Sequence, residues 1–309
     1  MSLLALIKPN GPSGFGYGST AEDVTRGLNL GGKTFLVTGC NSGLGGETLR
    51  VLALRGAHVI GTARTLDKAG AACRAISGKT TPLACELTDP ASVRACVAAI
   101  KSSGLRLAAV IANAGIMALP TLELIHGYEK QFFTNHIGHF ILVTGLLDSL
   151  TPDARVVMLS SALHASAPPE GIAFGNLDGA KGYKSWTAYG QSKFANLLFA
   201  KELARRFAGT ARTANAVHPG VIFDTNLTRS SGIPNLVKPI VAGLGNLTVL
   251  KTIAQGAATQ CYVASHPAAK AVTGKYFADC NIARSRADGD DAALAKRLWD
   301  ASEAIAAKV

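Results

Sequence analysis

Acidic residues are scarce in this chain. Against 31 Lys and Arg stand 20 Asp and Glu, a formal charge of +11 over 309 residues. A surplus of that kind can serve nucleic acid or an anionic surface. Here the basic residues are scattered among the acidic ones, form no block and have few aromatics between them, which argues against a nucleic-acid module. A polyanionic cofactor is the more economical partner. The six cysteines, Cys40, Cys73, Cys85, Cys96, Cys261 and Cys280, form no C-x-x-C, and no histidine spacing suits zinc. They read as buried free thiols in a reducing compartment. No apolar run approaches the length of a membrane span, and Met1–Ile7 is too short for a signal segment with a cleavage site. A cytoplasmic protein with no membrane span is the expectation. Repeats and interdomain linkers are also missing.

What is present is a sizeable apolar fraction, 48% of residues, laid out in alternating short and long runs. Residues 1–31 are rich in Gly and Ser and read as an arm, with Ser19/Glu22 or Thr20/Asp23 fitting a capping box. Thr34–Thr38 is a β-rich run that stops at Gly39, and Gly43 and Gly45 open an amphipathic helix. Strand, glycine turn, helix is the first unit of a dinucleotide-binding fold, where a pyrophosphate can meet free N–H groups at a helix start. Strands are then expected at His58–Thr62, Pro82–Leu87, Leu107–Ile111, Arg155–Leu159, Thr213–Val217 and Lys275–Phe277. Helices are expected at Leu66–Ile76, Pro90–Lys101, Tyr128–Leu150, around Tyr189, Gln255–Ser265 and Asp291–Ala306. Such alternation implies an α/β fold, a parallel sheet with helices on both faces, in one domain over 32–309. Residues 220–250, apolar with Pro234 and Pro239 and few charges, suit a substrate lid that favours a hydrophobic compound.

The chemistry is expected at Tyr189-Gly190-Gln191-Ser192-Lys193. Tyr and Lys four apart share one helix face, with Phe194, Leu197, Leu198 and Leu203 continuing its apolar side. An ammonium so placed lowers the phenol's pKa and makes it a general acid/base for an alcohol or carbonyl. Among the other tyrosines, none has a Lys or Arg four residues on. His136 and His139, three apart on a helix, lack a third ligand and read as packing residues, and His218 as structural.

Taken together, Thr38-Gly39-Cys40-Asn41-Ser42-Gly43-Leu44-Gly45, Asn113-Ala114-Gly115, Asn135, Ser161, Tyr189/Lys193 and Pro219-Gly220 resemble the short-chain dehydrogenase/reductase family over residues 20–303. The stretches Thr134–Phe140, Ala188–Lys193 and Val272–Cys280 place the resemblance in its retinol dehydrogenase-like branch, which includes a plant chloroplast-envelope member associated with protein import. The resemblance implies a Rossmann-type doubly wound sheet and hydride exchange between a nicotinamide and an alcohol, ketone or aldehyde. Tyr189 would move the proton, Lys193 would depress its pKa and bond the nicotinamide ribose, Ser161 would hold the substrate oxygen, and Asn135 would position a water leading to Lys193. Ser160 is the competing serine. Cofactor contacts are implied for Gly39, Asn41, Ser42, Gly43 and Leu44, for Glu86 and Leu87, for Asn113, Ala114 and Gly115, and for Pro219, Gly220, Ile222 and Thr225. Glu86 stands where the family usually has Asp, and Thr225 comes one place late. Ala63 occupies the site of an NAD-type acid and Arg64 follows it, so NADP(H) is expected. The Tyr128 and Tyr189 helices pair subunits in many relatives, which leaves homo-oligomerisation open. The other reading is an NADP(H)-sensing interaction module with little or no turnover.

Overall fold

The computed structural model describes residues 3–222 and 250–309. The β-rich runs form β1 (Thr34–Thr38), β2 (His58–Ala63), β3 (Thr80–Ala84), β4 (Leu107–Ala112), β5 (Leu150–Leu159), β6 (Thr213–His218), β7 (Tyr276–Ala278) and β8 (Asn281–Ile282). They make one sheet in the order β8-β7-β6-β5-β4-β1-β2-β3, parallel except for the β7–β8 pair. Successive side chains on a strand face opposite ways, and the two cores follow that rule. Leu36, Ile60, Val110 and Val156 enter one core, while Phe35, Val37, Val59, Ile111 and Val157 enter the other. Helices therefore cover both faces of a mostly parallel sheet, the doubly wound arrangement the sequence implied.

The first face carries α1 (Pro90–Ser102), the helical run Lys130–Gly145, α2 (Ser185–Arg206) and α3 (Ala292–Lys308). The second carries α4 (Gly43–Leu54) and α5 (Ala258–Ser265), with the arm packed on α5 through Phe15 against Tyr262 and His266. In the arm, Thr20 and Asp23 form the capping box, Asp23 N–H to Thr20 Oγ1 at 3.1 Å and Thr20 N–H to the Asp23 carboxylate at 3.0 Å.

Three expectations need correcting. The third strand is Thr80–Ala84, not Pro82–Leu87: its register with β2 ends at the Ala63–Ala84 pair, and Ser92 then takes the Glu86 N–H. Nor is Tyr128–Leu150 one helix. Tyr128–Glu129 pairs antiparallel with Leu124–Ile125, and the buried Glu129 carboxylate caps the helix start by accepting from Phe132 N–H at 2.7 Å. The run continues through a π-helical turn at Phe133–Ile137, regains α geometry at Gly138–Gly145, and Leu150 already belongs to β5. The Tyr189 helix is also less amphipathic than expected. Every residue from Tyr189 to Leu203 is buried, because sheet, π turn and α3 enclose it. Its last turn follows the helix dipole, Arg205 and Arg206 both bonding the Glu202 carboxylate. The expected lid and Thr225 fall almost wholly outside the described residues.

Candidate active site

β1 lies between β2 and β4, and the chain reverses its direction of travel across the sheet there. A crevice opens beyond the carboxyl ends of strands at such a point. Here it is a cleft of about 350 Å³, lined by Gly39, Asn41, Ser42, Gly43, Leu44, Ala63, Arg64, Glu86, Leu87 and Asn113–Gly115, among others. Thus most of the sequence-expected cofactor residues share one wall system. Gly39 and Gly43 take positive φ, 70° and 54°, to turn the chain from β1 into α4. Gly45 is required for a different reason: a Cβ there would stand 2.6 Å from Asn113 Nδ2 and closer still to the Gly39 carbonyl oxygen. The helix start can come down onto the turn only without a side chain. Thr38 fastens the two turns together, its Oγ1 accepting the N–H groups of Asn113 and Ala114 at 2.9 Å each.

Arg64 follows β2, is exposed, and has no ion-pair partner among the described residues. Glu86 lines the cleft with its carboxylate engaged by Thr88, which donates from N–H at 3.1 Å and from Oγ1 at 2.9 Å. Pro219 and Gly220 follow β6, Gly220 at φ 94°, and a Cβ on Gly256 would stand 2.6 Å from both Ile222 and Leu44. Cys85, Thr88, Ile116, Met117, Lys130, Thr134 and Leu159 also line the cleft and were not anticipated. Nothing in their local patterns marks them, because each reaches the cleft only through the course of the fold.

Tyr189, Ser161 and Lys193 lie past the inner end of the cleft, not on its wall. Lys193 Nζ donates to the Leu159 carbonyl at 3.2 Å, and a Cβ placed on Gly115 would lie 3.3 Å from the same Nζ. Asn135 sits in the π turn, fully buried. Its Oδ1 accepts from Ile116 N–H at 2.8 Å, and its Nδ2 donates to Ile116 O and to Ser192 Oγ at 2.9 Å each. Gly190 lets the Ser161 loop rest on the helix, since a Cβ there would come within 2.7 Å of Leu163 O and 2.8 Å of Ala167 N. That close approach brings Ser161 over the neighbouring Tyr189. The loop is held further by His164, bonded to Ser161 O at 2.6 Å, and by His218 Nδ1, which accepts from Ala162 N–H at 3.2 Å. Ser160 Oγ donates to the Lys193 carbonyl at 2.8 Å and is buried, so of the two serines Ser161 is the one facing the phenol.

The electrostatics differ from expectation. Burial pushes the Tyr189 phenol up to about 12, with Ser161 pulling the other way. Burial likewise pushes Lys193 down to about 8. In each case the cause is desolvation of the charged form. The ammonium faces the ring, 5.6 Å from its centroid, and bonds a carbonyl. At neutral pH the pair is a neutral phenol beside an ammonium, an arrangement able to give a proton. The cleft fits a dinucleotide: two left-handed glycines, the start of a 12-residue helix and an unpaired guanidinium stand along it. Among the described residues no group of His, Cys, Asp and Glu could hold a metal ion, and no helix is long and apolar enough to cross a membrane.

Comparison with known proteins agrees with this fold. The sequence profile of the short-chain dehydrogenases matches residues 33–235. Short-chain dehydrogenase TIC 32 B, chloroplastic, from Brassica napus is 42% identical over 306 residues, covering 94% of each chain. Retinol dehydrogenase 14 from Homo sapiens is 38% identical, covering 89% of this chain and 86% of its own. Among solved structures, an uncharacterised protein from Mycobacterium paratuberculosis superposes with a TM-score of 0.74 at 33% identity, over 93% of this chain and 97% of that one. A blue fluorescent protein from a metagenomic library, in complex with NADPH, superposes with a TM-score of 0.64 at 27% identity, over 81% and 97%.

Proposed function

Since this chain belongs to the short-chain dehydrogenase family, we propose that it is an NADP(H)-dependent oxidoreductase acting on a hydrophobic alcohol or carbonyl compound, with Tyr189 as general acid/base. The observation that carries this reading is the meeting of Tyr189, Ser161, Lys193 and Asn135 just beyond a cleft whose walls carry the glycine turn and Arg64. The nicotinamide, when bound, supplies or accepts the hydride at the substrate carbon. The protein's part is at the oxygen. As hydride arrives, the carbonyl oxygen becomes an alkoxide, Ser161 Oγ donates a hydrogen bond to it, and the Tyr189 hydroxyl gives it the proton. A phenol held protonated at neutral pH suits that direction, and alcohol oxidation needs the phenolate. Lys193, steadied by Leu159 O, supplies positive charge beneath the phenol, and Asn135 holds the Gly115–Ile116 turn against it.

Preference for NADP(H) is supported by the free guanidinium of Arg64 beside the small Ala63, where an acidic residue would repel a 2′-phosphate. The NADPH complex of the metagenomic relative points the same way. A hydrophobic substrate is supported by the apolar composition of residues 220–250 and by relatives named retinol dehydrogenases. The same proposal treats 1–31 as an arm and 32–309 as the catalytic domain. The free, buried cysteines suit a reducing compartment, for which we take the cytoplasm. The test is NADPH consumption by the purified protein across lipophilic aldehydes and ketones. Tyr189→Phe should lower turnover on the order of 10²–10⁴. NADPH binding without turnover of any compound would replace this reading by the nucleotide-sensing module.

A further inference from the structure

A histidine that reads as mere packing joins the two halves of the site. His139 is fully buried, and both its ring nitrogens are engaged: Nε2 with Thr38 Oγ1 at 2.9 Å, Nδ1 with the Asn135 carbonyl at 2.9 Å. The protons in this chain can be placed by counting. Thr38 Oγ1 already accepts two N–H groups, from Asn113 and Ala114, so its single proton goes to Nε2. The Asn135 carbonyl can only accept, so Nδ1 carries the hydrogen. The ring is therefore a neutral imidazole in one tautomer, and a second proton would leave Nε2–H against a hydroxyl with no lone pair to offer. Burial, with the Lys193 ammonium adding to it, pushes the group down to about 4, in keeping with that count.

We infer that His139 is a positioning residue whose two nitrogens serve different ends of the site, Nε2 fixing the cofactor-facing turns and Nδ1 fixing the π turn that carries Asn135. The first link reaches the cleft because Thr38 binds the Asn113–Ala114 backbone, and Asn113 Nδ2 in turn donates to Thr38 O at 2.8 Å. The second reaches the acid because Asn135 holds Ile116 through two bonds and Ser192 through a third, while a Cβ placed on the adjoining Gly115 would stand 2.9 Å from Asn135 Oδ1 and 3.3 Å from Lys193 Nζ. Asn135 lies within the π turn, and the ring of His139, four residues on, donates to its carbonyl.

The inference rests on the oxidoreductase reading for its catalytic half alone, and the tests separate the two. Histidine labelled with ¹⁵N in the full-length protein without cofactor should show two buried rings in the Nδ1–H form, His164 (Nδ1 to Ser161 O, Nε2 accepting from Arg286 N–H) and His139, the His139 signal unchanged from about pH 5 to about pH 8. Loss of that signal in His139→Asn assigns it. Asn can keep the donor toward Asn135 but not the acceptor toward Thr38, and Gln the reverse. Leaving one buried partner unpaired should cost about tenfold in the quantity it governs. His139→Asn should weaken NADPH binding, followed by nucleotide fluorescence, about tenfold and hold kcat within about twofold. His139→Gln should do the opposite. An Nε2–H or titrating ring, or two variants that change affinity and kcat by the same proportion, would overturn the assignment. Should the unaltered protein turn over no carbonyl compound, the functional reading falls, while the spectrum and the binding titration still decide the Thr38 link.

Discussion

Gly45→Ala tests whether the cleft depends on a helix start pressed against the β1 turn. Two effects oppose each other. Alanine in place of glycine inside α4 favours the helix by about 0.5–1 kcal/mol. Against that, the new Cβ would stand 2.6 Å from Asn113 Nδ2 and 2.8 Å from the Gly39 carbonyl carbon, with the Gly39 oxygen nearer still. None of these is the free end of a flexible chain. Gly39 is backbone, and Asn113 Nδ2 is held by its bond to Thr38 O. Overpacking of this kind costs about 1–3 kcal/mol, so the steric term wins and a net loss of roughly 1–2 kcal/mol is expected. The shift must fall on the Gly39 and Asn113 turns, which line the cleft, so NADPH affinity should drop by roughly tenfold as well. Gly46→Ala is the matched control. Its Cβ would meet only Cys40 O, at 3.2 Å, so the propensity gain is nearly whole and stability should stay within about 0.5 kcal/mol of the parent or rise. Urea midpoints and NADPH titrations of the two variants make the comparison. Equal stability in the pair, with unaltered nucleotide affinity in Gly45→Ala, would refute the steric reasoning.

Replacing the exposed guanidinium in Arg64→Asp should lower the ratio of NADPH to NADH efficiency by at least tenfold, and an unmoved ratio removes Arg64 from the cofactor argument. Acid should destabilise the fold well above the carboxylate range. Burial pushes His136 down to about 3 and both His139 and His218 down to about 4, and His58, His164 and His266 move the same way. The unfolded chain then binds more protons than the native one between about pH 6.5 and pH 4, so stability rises with pH across that window. Each fully shifted histidine contributes about 1.4 kcal/mol per pH unit, and Glu129, raised by burial, opposes with up to one proton. Urea midpoints that stay level from about pH 6.5 to pH 4.5 would contradict this. Arg286 bonds the carbonyls of Ala167, Pro168 and Pro169 at 3.2 Å and lies 4.7 Å over the Phe194 ring, so Arg286→Met should loosen the Ser161 loop. A stability loss of about 1–3 kcal/mol and a lower kcat at unchanged NADPH affinity are expected, and an unaltered kcat would show the loop to be held without it.

The glycine turn, the alternation of strands and helices and the Tyr189–Lys193 pair were legible because each is local. A left-handed backbone, a two-residue period and an i,i+4 spacing are set by residues that are neighbours in the chain. Thr34–Thr38 came out to the residue. What went astray was decided by residues far apart in sequence. The third strand ends where β2 stops pairing, and the helix after Tyr128 starts late because Leu124–Ile125 claims Tyr128–Glu129. Spacing gave Lys193 the task of acidifying Tyr189, yet only the packed fold shows the charge facing a carbonyl and burial raising the phenol instead. The choice between Ser160 and Ser161 and the two-ended bonding of His139 are of the same kind. Sequence placed the candidate site's side chains in order along the chain. Tertiary structure set their protonation and their partners, because desolvation and hydrogen-bond geometry depend on what the fold brings alongside.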